Sequence, residues 1–337
     1  MMELATTYMG LELRNPLVAS PSPLAYTVDG VLRLADAGVG AIVLPSLFEE
    51  QVREEAALDE QLSEAGTESF AESLSYFPEA AEEDYGPRRH LSLVERAAAA
   101  VDVPVIASLN GVTLGGWIDY ARAMQDAGAA AIELNIYYLP GDTRTPGRAV
   151  EQRCVDILAQ VKAAVTVPVA VKLSPYFSSP GELAVRLDEA GADALVLFNR
   201  FLQPDIDPES LAVVPMVGLS RPVDAGLPRT WIALLRGRVR ASLAATSGVE
   251  GPLDVAKFLL AGADVVMSTS ALLRHGPGHA RALLAGLSEW MDRKGFATVD
   301  EVRGLLAVPR DGNEAEYARA GYASALRAAN ASPYGPW

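Results

Sequence analysis

The chain has one cysteine, Cys154, in 337 residues. That excludes an intramolecular disulfide and a thiolate metal cluster, and the cytoplasm is the simplest expectation for its setting. Histidine is nearly as scarce. His90, His275 and His279 are not spaced as a metal site, and RHGPGH reads as a helix boundary. No apolar run approaches the roughly 18 residues of a membrane-spanning helix. The N-terminal MMELATTYMGLELRNP lacks a basic start followed by an apolar stretch, so no secretion signal is expected. Basic charge is short as well: 28 Lys and Arg stand against 43 Asp and Glu, a net charge of −15. No basic patch interrupts the acidity, which argues against a nucleic-acid partner. No pair of carboxylates falls where glycoside hydrolysis would need one.

Apolar residues, by contrast, make up 50% of the chain, enough for a large core. One unit recurs, a helix ending in Ala-Gly followed by a short apolar strand. It is seen in DAGVGAIVLPS (36–46), DAGAAAIELNI (126–136), EAGADALVLFN (189–199) and LAGADVVMSTS (260–270). The glycine suits the left-handed residue that ends a helix. The strand suits a parallel sheet buried on both faces. Two further strands have a Val-Pro entry, DVPVIASLN (102–110) and TVPVAVKLS (166–174); NPLVASP (15–21) and RASLAATSG (240–248) bring the number to eight. Helical patterns at 28–37, 88–100, 115–127, 148–164, 180–190 and 251–261 alternate with them. The expectation is an α/β chain folded as a (β/α)8 TIM barrel, with an open doubly wound sheet as the alternative. Two connections exceed the repeat, one after strand two (about 47–90, with the acidic run 49–84) and one after strand six (about 200–238). A helical tail is expected over about 281–337, and no linker divides residues 1–337 into more than one barrel domain.

In such a barrel the C-terminal strand ends line the active site. They carry Ala19 and Ser20, Pro45 and Ser46, Ser108 and Asn110, Asn135 with Tyr137 and Tyr138, Lys172 and Ser174, Asn199 and Arg200, Thr246-Ser247-Gly248, and Ser268-Thr269-Ser270. Lys172 lies inside the apolar VAVKLSP, so its ammonium must be paired, for instance with Glu133, or must face a polar cavity. Strands seven and eight end in small hydroxyl and Gly residues leading into helices, a pattern that suits a phosphate.

PVAVKLSPYF, the strand end ELN, LFNR, SGV and ALLRHGP resemble the FMN-dependent dihydroorotate dehydrogenase family. LPSLFEEQ, ELNIYYLPGD, KLSPYFSS, LFNRFLQPDID and EYARAGYASALRAA resemble its dihydroorotate dehydrogenase-like branch, over about residues 10–330. The resemblance implies a (β/α)8 barrel of pyrimidine metabolism with FMN at its C-terminal mouth and a small-molecule substrate. It implies Lys172 near the flavin N1 and O2 edge, Ala19 and Ser20 beneath the ring system, and Ser247, Gly248, Thr269 and Ser270 about the phosphate. Asn135 and Asn199 would bond flavin or substrate, with Arg200 beside the substrate. A homodimer is expected by the same analogy.

The departures are specific. Where dihydroorotate-oxidising members carry a Cys or Ser base, this chain has Tyr137-Tyr138-Leu139-Pro140, with Tyr138 nearest the base position. Tyrosine has a pKa near 10, so Tyr138 suits an acid or hydrogen-bond donor better than a base. A lysine expected after strand two is Pro45, the doubled glycines of the phosphate loops are Ser247-Gly248 and Thr269-Ser270, and Arg200 replaces a small hydroxyl residue. The expected function is an FMN-dependent oxidoreductase whose substrate is other than dihydroorotate, or which oxidises dihydroorotate slowly. Two alternatives stay open: a redox-inactive barrel serving as a binding or partner subunit, and an aldolase-type barrel using Lys172 as a Schiff-base nucleophile.

Overall fold

The structure is a computed structural model that describes residues 3–51, 86–110, 117–138, 140–200, 204–214, 218–310, 323–324 and 326–327. Eight parallel strands close into a barrel: β3 (Leu17–Ala19), β4 (Ala41–Phe48), β5 (Val105–Asn110), β6 (Ala131–Asn135), β7 (Val169–Leu173), β8 (Ala194–Leu197), β11 (Ser242–Ala245) and β12 (Val265–Ser268). They pair in chain order, and β8 pairs with β11 across the second long insertion. All eight expected strands are present, and closure of the sheet rules out the open doubly wound alternative.

Each helix packs outside the strand it follows: α1 (Val28–Asp36), α2 (Pro87–Ala100), α3 (Trp117–Asp126), α4 (Gly147–Ala164), α5 (Pro180–Glu189), α6 (Gly226–Leu235) and α7 (Pro252–Ala261). After β12 come the short α8 (Ser270–His275), then α9 (His279–Lys294) and α10 (Val299–Val302). Most of the expected tail beyond residue 310, and most of the acidic run after β4, lie outside the described residues. The glycines of the four Ala-Gly units, Gly38, Gly128, Gly191 and Gly262, have φ between 93° and 118°, the left-handed turn that ends a helix and returns the chain to the sheet. In two of these units an aspartate follows and fastens the neighbouring strand. Asp193 Oδ2 accepts from Val169 N at 2.7 Å and Asp264 Oδ2 from Leu243 N at 2.8 Å.

Strand side chains alternate between the two faces of the barrel wall. Leu17, Ile42, Val105, Ile132, Val169, Leu195, Leu243 and Val266 point outward into the core shared with the helices. Val18, Val43, Ile106, Ala131, Ala170, Ala194, Ala244 and Val265 point inward. Many of these inner residues are small. The space near them is filled by a hairpin the sequence reading did not resolve, β1 (Thr6–Tyr8) with β2 (Leu11–Leu13). Tyr8, Met9 and Leu13 join the inner cluster. Met9 N donates to Ser242 Oγ and Thr6 Oγ1 to Asp264 O, which places the hairpin at the N-terminal end of the barrel. A second small hairpin, β9 (Asp205–Asp207) with β10 (Ala212–Val214), lies in the insertion after β8.

Higher along each strand the inward residues turn polar: Ser108 and Asn110 on β5, Glu133 and Asn135 on β6, and Lys172 on β7 are all inward by alternation. The barrel is therefore an apolar cylinder with a plugged base and a polar mouth.

One buried group makes stability depend on pH. His90 on α2 is buried, its Nε2 has no partner, and burial lowers its pKa from 6.5 to about 4. Between those values the unfolded chain binds the proton and the folded one does not. The contribution is fully present above pH 6.5 and is lost as pH falls toward 4. From pH 7.5 to 5.5 the wild type should lose about 1.4 kcal/mol, the value of one pKa unit, more than a His90→Leu variant loses. Urea unfolding of both proteins at the two pH values checks this; equal losses would contradict it.

Candidate active site

The polar mouth is organised by a buried ion pair. β6 and β7 run side by side in a register that places Asn135 opposite Lys172 and Glu133 opposite Ala170. Lys172 Nζ donates to Glu133 Oε1 at 3.3 Å, with side chains 9% and 1% exposed. Of the two ways to keep a buried ammonium, a carboxylate partner or a polar cavity, the protein uses both, because Lys172 also lines a cavity of about 300 Å³.

Ser20, Asn199, Arg200, Ser247, Thr269 and Ser270 line the same cavity, so seven of the expected site residues come together around one space. The rest are placed differently. Ala19 is inward of the surface but on the outward face of β3, packed in the helix-side core. Asn135, inward on β6, does not itself line the cavity and reaches it through Asn199, whose Nδ2 donates to Asn135 Oδ1 at 2.6 Å. Gly248 does not line the space. It has φ of 73°, and a Cβ there would fall 2.6 Å from Ala225 N and 2.9 Å from Arg221 O, so only glycine lets the strand-seven loop pack against that turn. Ser247 beside it also has a φ of 73°, a conformation that costs a non-glycine residue roughly 1–2 kcal/mol and that clusters at functional sites. Tyr138 lines a separate cavity of about 340 Å³, with Glu151, Ser174 and Tyr176 among its walls. The Arg153 guanidinium sits 4.5 Å from the Tyr138 ring centroid. Lys172, near the end of β7, lines the first space, and Ser174, just past that strand, lines the second.

Other strand ends brace the site, and Ser220 joins them from outside the expected set. Ser46 and Ser108 share a hydrogen bond at 2.8 Å, and Asn135 Nδ2 reaches Ser46 Oγ at 3.5 Å, so the amide pair of β6 and β8 is braced from β4 and β5. Pro45 and Ser46 also border another cavity, of about 450 Å³, between α1 and α2. Ser220, at the returning end of the insertion after β8, ties three loops together. Its N–H and hydroxyl meet Ser270 Oγ, each at 2.9 Å, and its carbonyl accepts from Arg274 at 2.7 Å. Arg274 and His275 in turn hold Glu250, whose pKa is lowered by the His275 hydrogen bond first and then by the Arg274 charge. The signal for Ser220 is a polar residue at the end of a long insertion, which becomes specific only once the insertion is seen to fold back.

Chemically, the cavity offers one buried cation, a braced amide pair, a rim of hydroxyls and apolar walls from Phe198, Met267 and Val249. Ser268 borders the cavity too, but its Oγ is buried without a protein partner and is not exposed to that space. A buried polar atom of this kind is ordinarily satisfied by water or a ligand. Among the described residues no three His, Cys, Asp or Glu side chains gather as metal ligands.

A family profile described as dihydroorotate dehydrogenase matches residues 63–291. The catalytic subunit of dihydroorotate dehydrogenase B (NAD(+)) from Methanothermobacter thermautotrophicus is 27% identical over 321 residues, covering 90% of this chain and 98% of the relative. The PreA subunit of NAD-dependent dihydropyrimidine dehydrogenase from Escherichia coli K12 is 24% identical over 337 residues, covering 90% of this chain and 76% of the relative. The chloroplastic dihydropyrimidine dehydrogenase (NADP(+)) of Arabidopsis thaliana is 25% identical over 334 residues, with the same coverage. The profile match alone spans more than half of the chain, from before β5 to within α9, and the protein belongs to the dihydroorotate dehydrogenase family.

Proposed function

We propose that the protein is a flavin-dependent oxidoreductase that binds FMN in the 300 Å³ cavity and acts on a small, anionic or imide-like substrate. The observation that carries this reading is Lys172, a buried ammonium presented to a cavity with apolar walls and a hydroxyl rim. The residues present fit the group. Ser20, Ser247 and Thr269 offer polar partners for its ribityl and phosphate portions, and Phe198, Met267 and Val249 suit its ring system. When bound, FMN supplies the hydride acceptor or donor. Lys172 stabilises negative charge that develops beside it, an effect that is strong because the site is largely shielded from water. Asn135 and Asn199, locked to one another, orient an imide or a carbonyl. Arg200 offers a guanidinium for a substrate anion.

The substrate is inferred to be a pyrimidine-like compound other than dihydroorotate, since the relatives are named for both dihydroorotate and dihydropyrimidines. No Cys or Ser stands at position 138 to remove a carbon-bound proton. Proton movement falls to Tyr138 or to water, and a phenol serves better as a donor than as an acceptor near neutral pH. The Schiff-base reading is weakened because Lys172 Nζ is engaged by the buried Glu133 carboxylate at 3.3 Å instead of standing free for a carbonyl. A redox-inactive subunit is favoured only by Pro45 and by the strand-seven and strand-eight loops that lack doubled glycines.

Anaerobic mixing separates these readings. The purified protein should be yellow, with dihydroorotate bleaching its visible band slowly or not at all and an uncharged dihydropyrimidine bleaching it faster. Rapid bleaching by dihydroorotate would overturn the substrate assignment, and a flavin that no dithionite-independent donor reduces would favour the redox-inactive subunit. Tyr138→Phe should slow turnover on the order of 10²-fold, the usual contribution of a positioned acid. Turnover at the wild-type rate would make Tyr138 a packing residue.

A further inference from the structure

Glu133 is the most thoroughly buried charge in the barrel interior, and pairing with Lys172 does not account for all of it. Oε1 accepts from Lys172, while Oε2 is buried without a protein partner. Below it, the hydroxyl of Tyr8, from the hairpin that closes the N-terminal end, is likewise buried without a partner. Burial first, then the charges of Glu133 and Asp264, push the Tyr8 phenol well above its usual range, so Glu133 acts on the plug as well as on the mouth. Sealing a carboxylate in this way costs several kcal/mol that a single ammonium at 3.3 Å offsets only in part. An apolar pair would fill the same volume at no such cost. The arrangement therefore makes sense through where it puts charge. Lys172 is the member in the cavity wall, Glu133 lies one layer deeper, and the register of β6 and β7 fixes both.

We propose that Glu133 is a positioning residue for Lys172: it holds the ammonium against the cavity wall and offsets part of its charge, and so sets how strongly a flavin in that cavity attracts electrons. The inference rests on the flavin reading above. Its sign follows from charge alone. A positive group beside a flavin favours the reduced, more negative form, and a carboxylate behind that group opposes it. Removing the negative charge while keeping the side chain's shape should therefore make the flavin easier to reduce.

The test compares the midpoint potential of the bound flavin in the wild type, Glu133→Gln and Tyr8→Phe, by spectroelectrochemical titration of the holoprotein. Glu133→Gln should shift the equilibrium toward reduced flavin by at least tenfold, which for a two-electron couple is about 30 mV upward. Tyr8→Phe, which alters the same buried axis without touching Lys172, should leave the potential within a third of that shift. An unchanged potential in Glu133→Gln, with or without lower stability, would reduce Glu133 to a structural residue and overturn the inference. Should Glu133→Gln fail to fold, Glu133→Asp, which retracts the carboxylate by one methylene, should move the potential in the same direction. A second readout needs no flavin. Lys162, Lys172, Lys257 and Lys294 are the only lysines, so an ammonium signal in the ¹⁵N spectrum of lysine-labelled, flavin-free protein can be assigned to Lys172 by its loss in Lys172→Arg. That signal should be protected from exchange in the wild type and lost in Glu133→Gln. Its persistence would overturn the positioning role. A wild type that binds no flavin but loses the signal in Glu133→Gln would refute the flavin reading while upholding that role.

Discussion

A charged pair inside a closed barrel must be held from every side, because neither partner can turn toward water. The Lys172–Glu133 contact meets this condition through the neighbouring strands β6 and β7, whose hydrogen-bonded register leaves each side chain one available direction. Around it, Ser46, Ser108, Asn135 and Asn199 form a chain of hydrogen bonds across β4, β5, β6 and the end of β8, with Ser108 level with Glu133 and Asn135 level with Lys172. The layer below is alanine and valine, closed at the base by Tyr8 and Met9. Moving β6 or β7 by a residue would turn its half of the ion pair into the helix-side core. The polar mouth, the cavity and the plugged base are thus consequences of one register, fixed by short Ala-Gly turns and the aspartates that follow two of them.

The loops over the mouth are fastened separately. Ser220 joins the insertion after β8 to Ser270, and Arg274, bound to Glu250, joins both to the loop after β11. A hydroxyl expected to meet a phosphate, Ser270, is thereby engaged within the protein, while Ser20, Ser22, Thr246, Ser247 and Thr269 are lining hydroxyl residues outside that clamp. Rigid strands place the ion pair, and cross-bridged loops enclose the space beside it. That division of labour suits an oxidoreductase whose cofactor does the chemistry and whose protein supplies position and charge.

Much of the barrel was legible from sequence because its signals are local. Ala-Gly before an apolar run, and Val-Pro at a strand entry, mark elements without reference to partners, and six of the eight strands lie where those signals stand. The β1–β2 hairpin was not legible. Its strands are three residues each, and TTY and LEL carry too few residues to show alternation. At the site, collecting strand ends found the cavity because parallel closure brings all of them to one rim. Side-chain direction, which the sequence does not print, separates the rest. Ala19 and Ser20 are adjacent, yet period-two alternation sends Ala19 to the helices and leaves Ser20 in the cavity wall. Tyr138 follows Asn135 by three residues and lines a second cavity with Ser174. Glu133 was read as a possible partner for Lys172; that it also faces the plug could not be seen without the hairpin.

The central claim is that the space beside Lys172 is a flavin site. Titrating flavin-free protein with FMN and following flavin fluorescence tests it most directly. The account predicts quenching that saturates at one FMN per chain in the wild type and a markedly weaker complex in Ser20→Phe, which fills the cavity from its wall. Fluorescence that stays that of free FMN throughout the wild-type titration, in protein shown to be folded, would contradict it.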